Sequence, residues 1–372
     1  MKKPCLLTIT GCTILLSIFS SCSKSDDPKP GDNTDFAKLE TQVLEDFVNK
    51  VALPQYAMFK DRSTTLNNAV KTLIASPTEA NLAAARQAWK DTRTTWEQCE
   101  GFLLGPVEDD NYDPYMDTWP VDYQQMDELL ASNQPLDLES IESDSSETTL
   151  SLRGFHPLEY VLWGKGGTGT AAGITARQKE YAGSLAQDIL NNTTKLYNSW
   201  LSDGGNYAAN ILTAGAGSQV FKTKEDALES IASVLIDICS EVGDSKMAEP
   251  FSNGQGQPDS TITESPFSHN SFIDFHNNIV GARNVYLGKY TEQGKGISDL
   301  VKAKNLSLDK DIQNQFNTAI NALNSFIESN ITFETAVYKN RTQVQNALDA
   351  LHNLQTTLHE KLIPFVQQYV KD

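Results

Sequence analysis

The sequence predicts an all-α protein built as helical bundles, and three observations predict it. Apolar residues recur at alternating steps of three and four, helix-capping residues precede several of these runs, and the alternating pattern of β-strands is almost absent. Helices with one apolar stripe must bury it against other helices. The chain has 372 residues, enough for two domains of ordinary size. We place the first bundle at residues 36–190 and the second at residues 191–372.

The first 21 residues have the order of a secretory signal: two lysines, an apolar run too short to span a membrane, and small residues before a cysteine. A small residue directly before Cys22 resembles the bacterial lipoprotein box, which implies cleavage there and acylation of the thiol. Residues 22–35 are polar, contain Pro and Gly, and are typical of a flexible tether. We therefore predict an outer-membrane lipoprotein that faces the periplasm or the cell surface, held to the membrane through Cys22.

The charge balance excludes one class of partner. The chain has 30 basic and 48 acidic residues and a formal net charge of −18. Cleavage of the signal would remove two of the lysines and make the net charge more negative. Nucleic acid is therefore not an expected partner, because binding it requires a basic surface. Cys99 and Cys239 lie on the apolar stripes of two predicted helices, as buried free thiols or, if those helices meet in an oxidising compartment, as a disulfide.

The helices follow in order. A first helix carries Phe36 to Phe47 and is expected to stop before Pro54. A second is opened by the capping residues around Ser76 and continues to Leu103. Later helices are predicted from the same apolar spacing over residues 228–242, 312–327 and 337–365.

Residues 106–150 break this pattern. They contain thirteen acidic side chains, no Lys or Arg and four prolines, so we expect a long irregular connection with one short helix at residues 121–130. Because the segment runs almost directly into His156, its charge could focus cations toward that residue. The alternative is a solvated acidic loop.

The segment from Gly154 to Glu159 contains a candidate cation site. Pro157 favours the first turn of a helix, which puts His156 at or next to the N-cap and Glu159 in the first turn on the same face. A neutral imidazole and a carboxylate suit zinc or iron, but a distant segment must supply further ligands. The alternative is structural, since a first-turn Glu is favoured by the helix dipole and a His at a helix start is commonly a hydrogen-bonded surface group.

Two other helices carry polar groups of interest. The helix opened by Ser271 and Asp274, which runs to Gly288, is unusually rich in polar residues for one with an apolar face. On the helix after Ser76, Glu97 or Glu100 could point inward as a further ligand. The alternative for Glu97 is an ordinary helix pair with Arg93, one turn earlier.

Several segments together resemble the imelysin family, and the match covers nearly the whole mature chain. These segments are the lipoprotein box, Ala85-Arg86-x-x-Trp89, Trp96-Glu97-x-x-Glu100-x-Phe102, Gly105-Pro106, Asp117-x-Trp119-Pro120, Gly154-x-His156-x-x-Glu159, Asp274-x-x-Asn277-Asn278 and Asn284-x-Tyr286-x-Gly288. The resemblance implies two packed helical bundles related by a distant internal duplication, with the His-x-x-Glu motif near their interface. It also implies a bacterial envelope protein of a family classed as metallopeptidases, several members of which are tied to iron regulation or uptake. By matching motif, His156 and Glu159 carry over as metal residues, and the further ligand-binding candidates are Glu97, Ser268, Asp274 and Asn278.

The resulting hypothesis is a lipid-anchored helical protein that binds a divalent or ferric metal ion, iron or zinc, or a small ligand in an interdomain cleft. No organic cofactor is expected. The role would be envelope iron acquisition, with an iron-uptake partner. One alternative is a metal-dependent endopeptidase that uses His156 and Glu159, although the sequence has no His-Glu-x-x-His motif. A second alternative is an anchored protein-interaction module.

Overall fold

The structure, a computed structural model, describes residues 33–143, 146, 148–252 and 254–371. It confirms the all-α prediction, since 76% of the described residues are helical and none of them forms a β-strand. The predicted signal, the acylated Cys22 and nearly all of the tether lie outside the described residues. None of the described helices is both long and apolar enough to cross a membrane.

The first nine α-helices contain the bundle built on α2, α3 and α9 and the short helices that cover it. They are α1 Asn33–Asp46, α2 Leu53–Ala75, α3 Glu79–Cys99, α4 Pro106–Asp109, α5 Tyr112–Asp117, α6 Tyr123–Ala131, α7 Leu138–Ser143, α8 Phe155–Trp163 and α9 Ala176–Trp200. Because α9 runs unbroken past residue 190, a boundary at 190–191 would cut a helix. Its last residue, Trp200, still packs in the first bundle, with its ring 5.4 Å from that of Tyr56. The division into two domains remains a prediction.

The remaining nine α-helices surround α13 and α15. They are α10 Ala208–Leu212, α11 Lys224–Ser240, α12 Ala248–Ser252, α13 Ser271–Leu287, α14 Ile297–Lys304, α15 Leu306–Glu328, α16 Phe333–Lys339, α17 Arg341–Thr357 and α18 Ile363–Tyr369. Helix α13 packs on α15 and α11 on one side and along α3 on the other. It therefore joins the two halves and is the helix that closes the polar centre described below.

Pro54 does not end the first helix, contrary to the expectation. Between α1 and α2, residues Phe47–Ala52 form a π-helical turn in which the Leu53 N–H bonds to the Val48 carbonyl. Pro54 is the second residue of α2, so the chain stays helical through it. A wider helical turn thus carries the chain past a residue that normally marks a break.

The acidic segment 106–150 is more ordered than predicted. It contains four short helices, α4 to α7, instead of one, and it places Val107, Met116 and Met126 in the core. The sequence analysis missed three of these helices because single apolar residues among many carboxylates give no periodic signal.

Two helix starts differ from the predicted positions. Helix α3 is capped by Thr78, whose side chain accepts a hydrogen bond from the Asn81 N–H, while Ser76 ends α2. Val337 belongs to the separate helix α16 and not to the last long run.

Cys99 and Cys239 are free and buried, so the prediction of buried free thiols is confirmed and that of a disulfide is wrong.

Helices α3 and α13 approach each other closely at Gly281. A Cβ atom at this position would lie 2.2 Å from the backbone oxygen of Gln98 and 2.7 Å from its Cα. Only glycine permits this contact, because backbone atoms of a packed helix cannot move aside as a flexible side chain can. The contact sets Glu97 on α3 beside Asn278 on α13.

We expect Gly281→Ala to lower the free energy of unfolding by about 1–3 kcal/mol, because the added methyl group forces α13 away from α3. Urea denaturation followed by circular dichroism measures the change. Gly183→Ala is the matched control, since its Cβ would meet only the end of the Ile74 side chain, at 3.1 Å. An equal unfolding midpoint for Gly281→Ala and the unsubstituted protein would contradict the close packing described here.

Candidate functional site

The candidate site is a buried polar centre between α3, α8 and α13. Along α3 and the short helical turn Glu100–Phe102 that continues it, Arg93, Glu97 and Glu100 follow at steps of four and three, so all three point into the protein from one face. None of these side chains has appreciable solvent exposure. Groups of this kind are buried only when they are paired.

Arg93 is the hub of the centre. Its guanidinium contacts Asp117 through Nη1 and Glu97 through Nη2, and Nη2 also lies 3.2 Å from Oε1 of Glu264. Its Nε lies 3.8 Å from Oδ1 of Asp274. The planar fork of an arginine can serve several carboxylates at once, which a lysine ammonium cannot do with the same geometry. Four carboxylates from four separate segments therefore meet on one cation.

Lys246 is the second cation, on a π-helical turn at Glu241–Met247. Its Nζ lies 3.0 Å from Glu264, 3.1 Å from Glu241 and 3.2 Å from Glu100. A π-turn shifts the side chains after it relative to those before, and such turns are frequent at functional sites. Sequence reasoning missed Lys246, because a lysine on a helical segment gives no signal of being buried.

The Gly154-to-Glu159 motif begins α8, but two residues earlier than predicted. Gly154 is the N-cap, so His156 is the second residue of the helix and Glu159 lies beyond its first turn. Gly154 has φ +87°, and a Cβ there would lie 1.9 Å from the backbone oxygen of Met116. The glycine thus lets α5 pack against the start of α8, which brings Asp117 next to His156.

His156 and Asp117 form one pair within the centre. The Nε2 atom of His156 lies 3.1 Å from Oδ1 of Asp117, and Trp96 Nε1 donates to Oδ2 at 2.6 Å. Burial opposes ionisation of Asp117, but the charge of Arg93 and the contact with His156 outweigh it. The pKa of this carboxyl therefore lies well below its ordinary value, and Asp117 is ionised.

Glu159 faces a different partner. Its Oε1 accepts hydrogen bonds from Ser268 Oγ at 2.6 Å, Ser268 N at 2.7 Å and Phe267 N at 3.2 Å. Burial raises the pKa of Glu159 to about 7, although the bonds from Ser268 work against the shift. The two motif residues share a helix and are both fully buried, but their contacts lie on separate segments of the chain.

The other predicted residues belong to the same network. Asn278 Nδ2 donates to Oε2 of Glu97 at 2.7 Å and to Oε2 of Glu100 at 2.5 Å. Asp274 accepts from Ser265 and Asn270, each at 2.6 Å. Glu97 points inward and also pairs with Arg93, so the two interpretations offered for it are compatible.

Glu264 is a second residue that sequence reasoning overlooked. It lies outside any helix, at 1% exposure, with Oε1 between Arg93 and Lys246. Ligand atoms of Asp117, His156 and Glu264 all lie within 4.8 Å of one another, a spacing that fits a single metal ion. No spacing rule could have identified this triad, because its members come from three distant segments.

Several buried polar atoms of the centre have no hydrogen-bond partner in the described part of the chain. Among them are Nδ1 of His156, Oε2 of Glu159 and Oε2 of Glu264. A buried polar atom without a partner is costly, so a proton, an ordered water or a bound ion is expected to satisfy each of these atoms. The centre is also closed, because His156, Glu159 and Glu264 are at most 1% exposed and do not line an open cleft.

Aromatic rings enclose the centre on the α2 and α8 side. The Arg93 guanidinium lies 5.3 Å from the ring of Phe155 and 5.9 Å from that of Trp89, within range of cation–π attraction. The Trp96 ring stacks on Phe59 at 5.2 Å. These rings exclude water, which strengthens every charge interaction inside.

We expect the metal-free protein to become more stable as the pH falls from about 8 to about 5. Burial raises the pKa values of Glu159 and Asp274 to about 7 in the folded protein, against about 4 in the unfolded chain. The folded state therefore binds more protons in this range, and the stability is lost as the pH rises through 7. Calorimetry in the presence of a chelator measures the melting temperature.

Asp274→Asn tests the raised pKa values, because it removes one of the two groups that take up a proton in this range. The melting temperature of this variant should depend less on pH. A melting temperature that rises with pH over this range would contradict the raised pKa values.

Comparison with known proteins gives consistent matches. The family model described as Imelysin matches residues 52–358. Iron-regulated protein A of Synechococcus elongatus is 30% identical over 361 residues, covering 96% of this chain and 92% of that protein. A crystal structure described as an iron-regulated protein A precursor from Parabacteroides distasonis matches with a TM-score of 0.80 and 27% identity, over 90% of this chain and 96% of that one. An imelysin-like protein from Psychrobacter arcticum shares the fold, with a TM-score of 0.70 and 15% identity over 89% of this chain and 96% of that one. The family model covers most of the chain, and the fold and the motif agree with it. This protein therefore belongs to the imelysin family.

Proposed function

We propose that this protein binds a metal cation in the buried polar centre, with iron as the first candidate. The observation that carries the proposal is the convergence of Asp117, His156 and Glu264, whose ligand atoms lie within 4.8 Å of one another. Unpartnered atoms of His156 and Glu264 support it, because a bound cation would satisfy them. One imidazole and two carboxylates suit iron or zinc.

The charge of the centre also favours a cation. Among the described residues, its buried carboxyl groups belong to Glu97, Glu100, Asp117, Glu159, Glu264 and Asp274. Arg93 and Lys246 are the permanent cations that all of these acids except Glu159 contact. Six acids facing two fixed cations leave an excess that protons or a metal ion must balance. A metal ion would do so at the triad, while Arg93 and Lys246 hold the surrounding acids in place.

The choice of iron rests on the relatives. The proteins from Synechococcus elongatus and Parabacteroides distasonis are both named for regulation by iron. A protein that is regulated by iron and binds a cation fits a role in envelope iron acquisition. An envelope iron-uptake partner, as expected from the sequence, belongs to this proposal.

We favour binding over proteolysis because of the geometry at the motif. A peptidase must admit an extended chain to its reacting atom, whereas His156 and Glu159 have no exposed surface. Cation binding needs only a path for an ion. Metal-dependent cleavage of an unfolded protein substrate, abolished by Glu159→Gln, would reverse this choice.

We expect the purified full chain to bind one ferrous ion, measured by anaerobic equilibrium dialysis with ferrous sulfate, and to bind zinc competitively. His156→Ala and Glu264→Ala should each weaken binding by more than about tenfold, since even outer-shell changes cost that much. His352→Ala is the matched control, because His352 also contacts a carboxylate, Asp244 at 2.8 Å, but on the surface. Binding by the His156→Ala, Glu264→Ala double variant equal to that of the unsubstituted protein would refute the site.

We also propose that Cys22 is acylated and holds the protein in the outer membrane. The full chain should then incorporate labelled palmitate in a bacterial host and sediment with the membranes. Cys22→Ser should abolish both, because the thiol is the point of attachment, whereas Cys99→Ser should change neither. Membrane association that persists in Cys22→Ser would show that another feature attaches the protein.

A further inference from the structure

Lys246 separates the buried polar centre from the protein surface. Its Nζ lies 3.0 Å from Oε1 of Glu264, a member of the proposed cation triad, and 3.1 Å from Oε1 of Glu241. The Glu264 side chain is 1% exposed, whereas that of Glu241 is 44% exposed. Among the described carboxylates that contact Arg93 or Lys246, Glu241 is the one with an exposed side chain. One ammonium group therefore stands between an exposed acid and a proposed ligand of the ion.

The π-helical turn Glu241–Met247 makes this contact possible. In an α-helix, with about 3.6 residues per turn, residues five apart point about 140° away from each other. The i to i+5 hydrogen bonds of a π-turn widen the helix and bring such residues onto nearly the same side. Glu241 and Lys246 are five apart, so the turn lets the exposed carboxylate reach the buried ammonium.

An acidic groove on the surface approaches Glu241. Its volume is about 430 Å³, and it lies between α11 and residues 103–108. In the part of the chain that the structure describes, four carboxylates and no Lys or Arg line it, namely Glu108, Asp226, Glu229 and Asp237. Asp237 precedes Glu241 by one helical turn, so the groove reaches close to the carboxylate that contacts Lys246. A cleft lined by charges of one sign raises the local concentration of the opposite ion.

The carboxyl groups between the groove and the centre repel one another. Burial raises the pKa of Asp237, and the charge of Glu241 raises it further. Burial also raises the pKa of the half-buried Asp113 on α5 to about 7, and the charges of Asp117 and Glu241 add to that shift. The acids along this route are therefore not fully balanced by cations, and a passing metal ion would relieve their repulsion.

We propose that a cation enters and leaves the buried centre through the acidic groove and past Lys246, whose ammonium acts as a positively charged gate. The proposal rests on the proposed function, because it assigns the route to that site. The groove draws the ion to Glu241, and the flexible stem of Lys246 lets its ammonium move aside. The ion then reaches Glu264 and the rest of the triad, and the ammonium returns to the surrounding acids. Repulsion between the two positive charges makes this passage the slow step.

The test of the gate is the rate at which the full chain takes up zinc. Stopped flow with zinc chloride and a fluorescent zinc indicator measures this rate. Lys246→Met removes the charge and keeps an unbranched side chain, so uptake should become about tenfold faster or more, because the ion no longer meets a like charge. Lys246→Arg keeps the charge and should take up zinc no faster than the unsubstituted protein.

A purely supporting role for Lys246 predicts a different result. The Lys246→Met variant, checked for folding by circular dichroism, would then bind zinc more weakly and take it up no faster. That outcome would overturn the gate.

Glu241→Gln and Asp237→Asn test the route at exposed positions, where folding is not at risk. Each should slow uptake about threefold or more and weaken its dependence on salt, because fewer charges attract the ion. Asp311→Asn is the matched control, since the Asp311 side chain is 43% exposed and lies 3.1 Å from Lys361 but does not line the groove. Its uptake rate should equal that of the unsubstituted protein.

Equilibrium dialysis of the same proteins separates failure of the route from failure of the proposed function. Zinc binding by all of them, with uptake rates that do not differ, would leave the proposed function standing and overturn the route. Absence of both iron and zinc binding in the unsubstituted protein and in Lys246→Met would refute the proposed function and the route with it.

Discussion

The guanidinium of Arg93 is the interaction on which the polar centre depends. It contacts Asp117, Glu97, Glu264 and, at longer range, Asp274, which come from α5, α3, the irregular residues 263–270 and α13. Without this cation, carboxylates from four elements would be left uncompensated in the interior, and breaking even one buried pair costs about 3–5 kcal/mol. Arg93 therefore does more than neutralise charge, because it fixes where four separate stretches of chain must meet.

The cost of burying these charges explains much of the surrounding architecture. Glycines at positions 154 and 281 let backbone pack on backbone, which brings Asp117 to His156 and Glu97 to Asn278. The aromatic rings beside Arg93 exclude water and so strengthen the ion pairs. Such a network is stable only if its members are satisfied, and the atoms without a protein partner are the ones that the proposed cation would satisfy.

The spacing of residues in the sequence identifies some members of the site and misses others. The motif identified His156 and Glu159, and the resemblance to imelysins added Glu97, Ser268, Asp274 and Asn278, all of which lie in or beside one buried network. Glu264 and Lys246 could not be found this way. One lies in an irregular segment and the other on a π-turn, and neither conformation leaves a periodic mark in the sequence.

The sequence by itself determined the helical class, most of the long helices and the family, because apolar spacing and capping residues act over one or two turns of chain. The runs at residues 228–242 and 312–327 are accordingly found within α11 with its π-turn and within α15. Only the tertiary structure decided that Pro54 continues a helix, that the acidic segment folds, and that His156 and Glu159 face different partners. Those outcomes depend on contacts between residues far apart in the chain, and the energy of such contacts is set by geometry that no local pattern encodes.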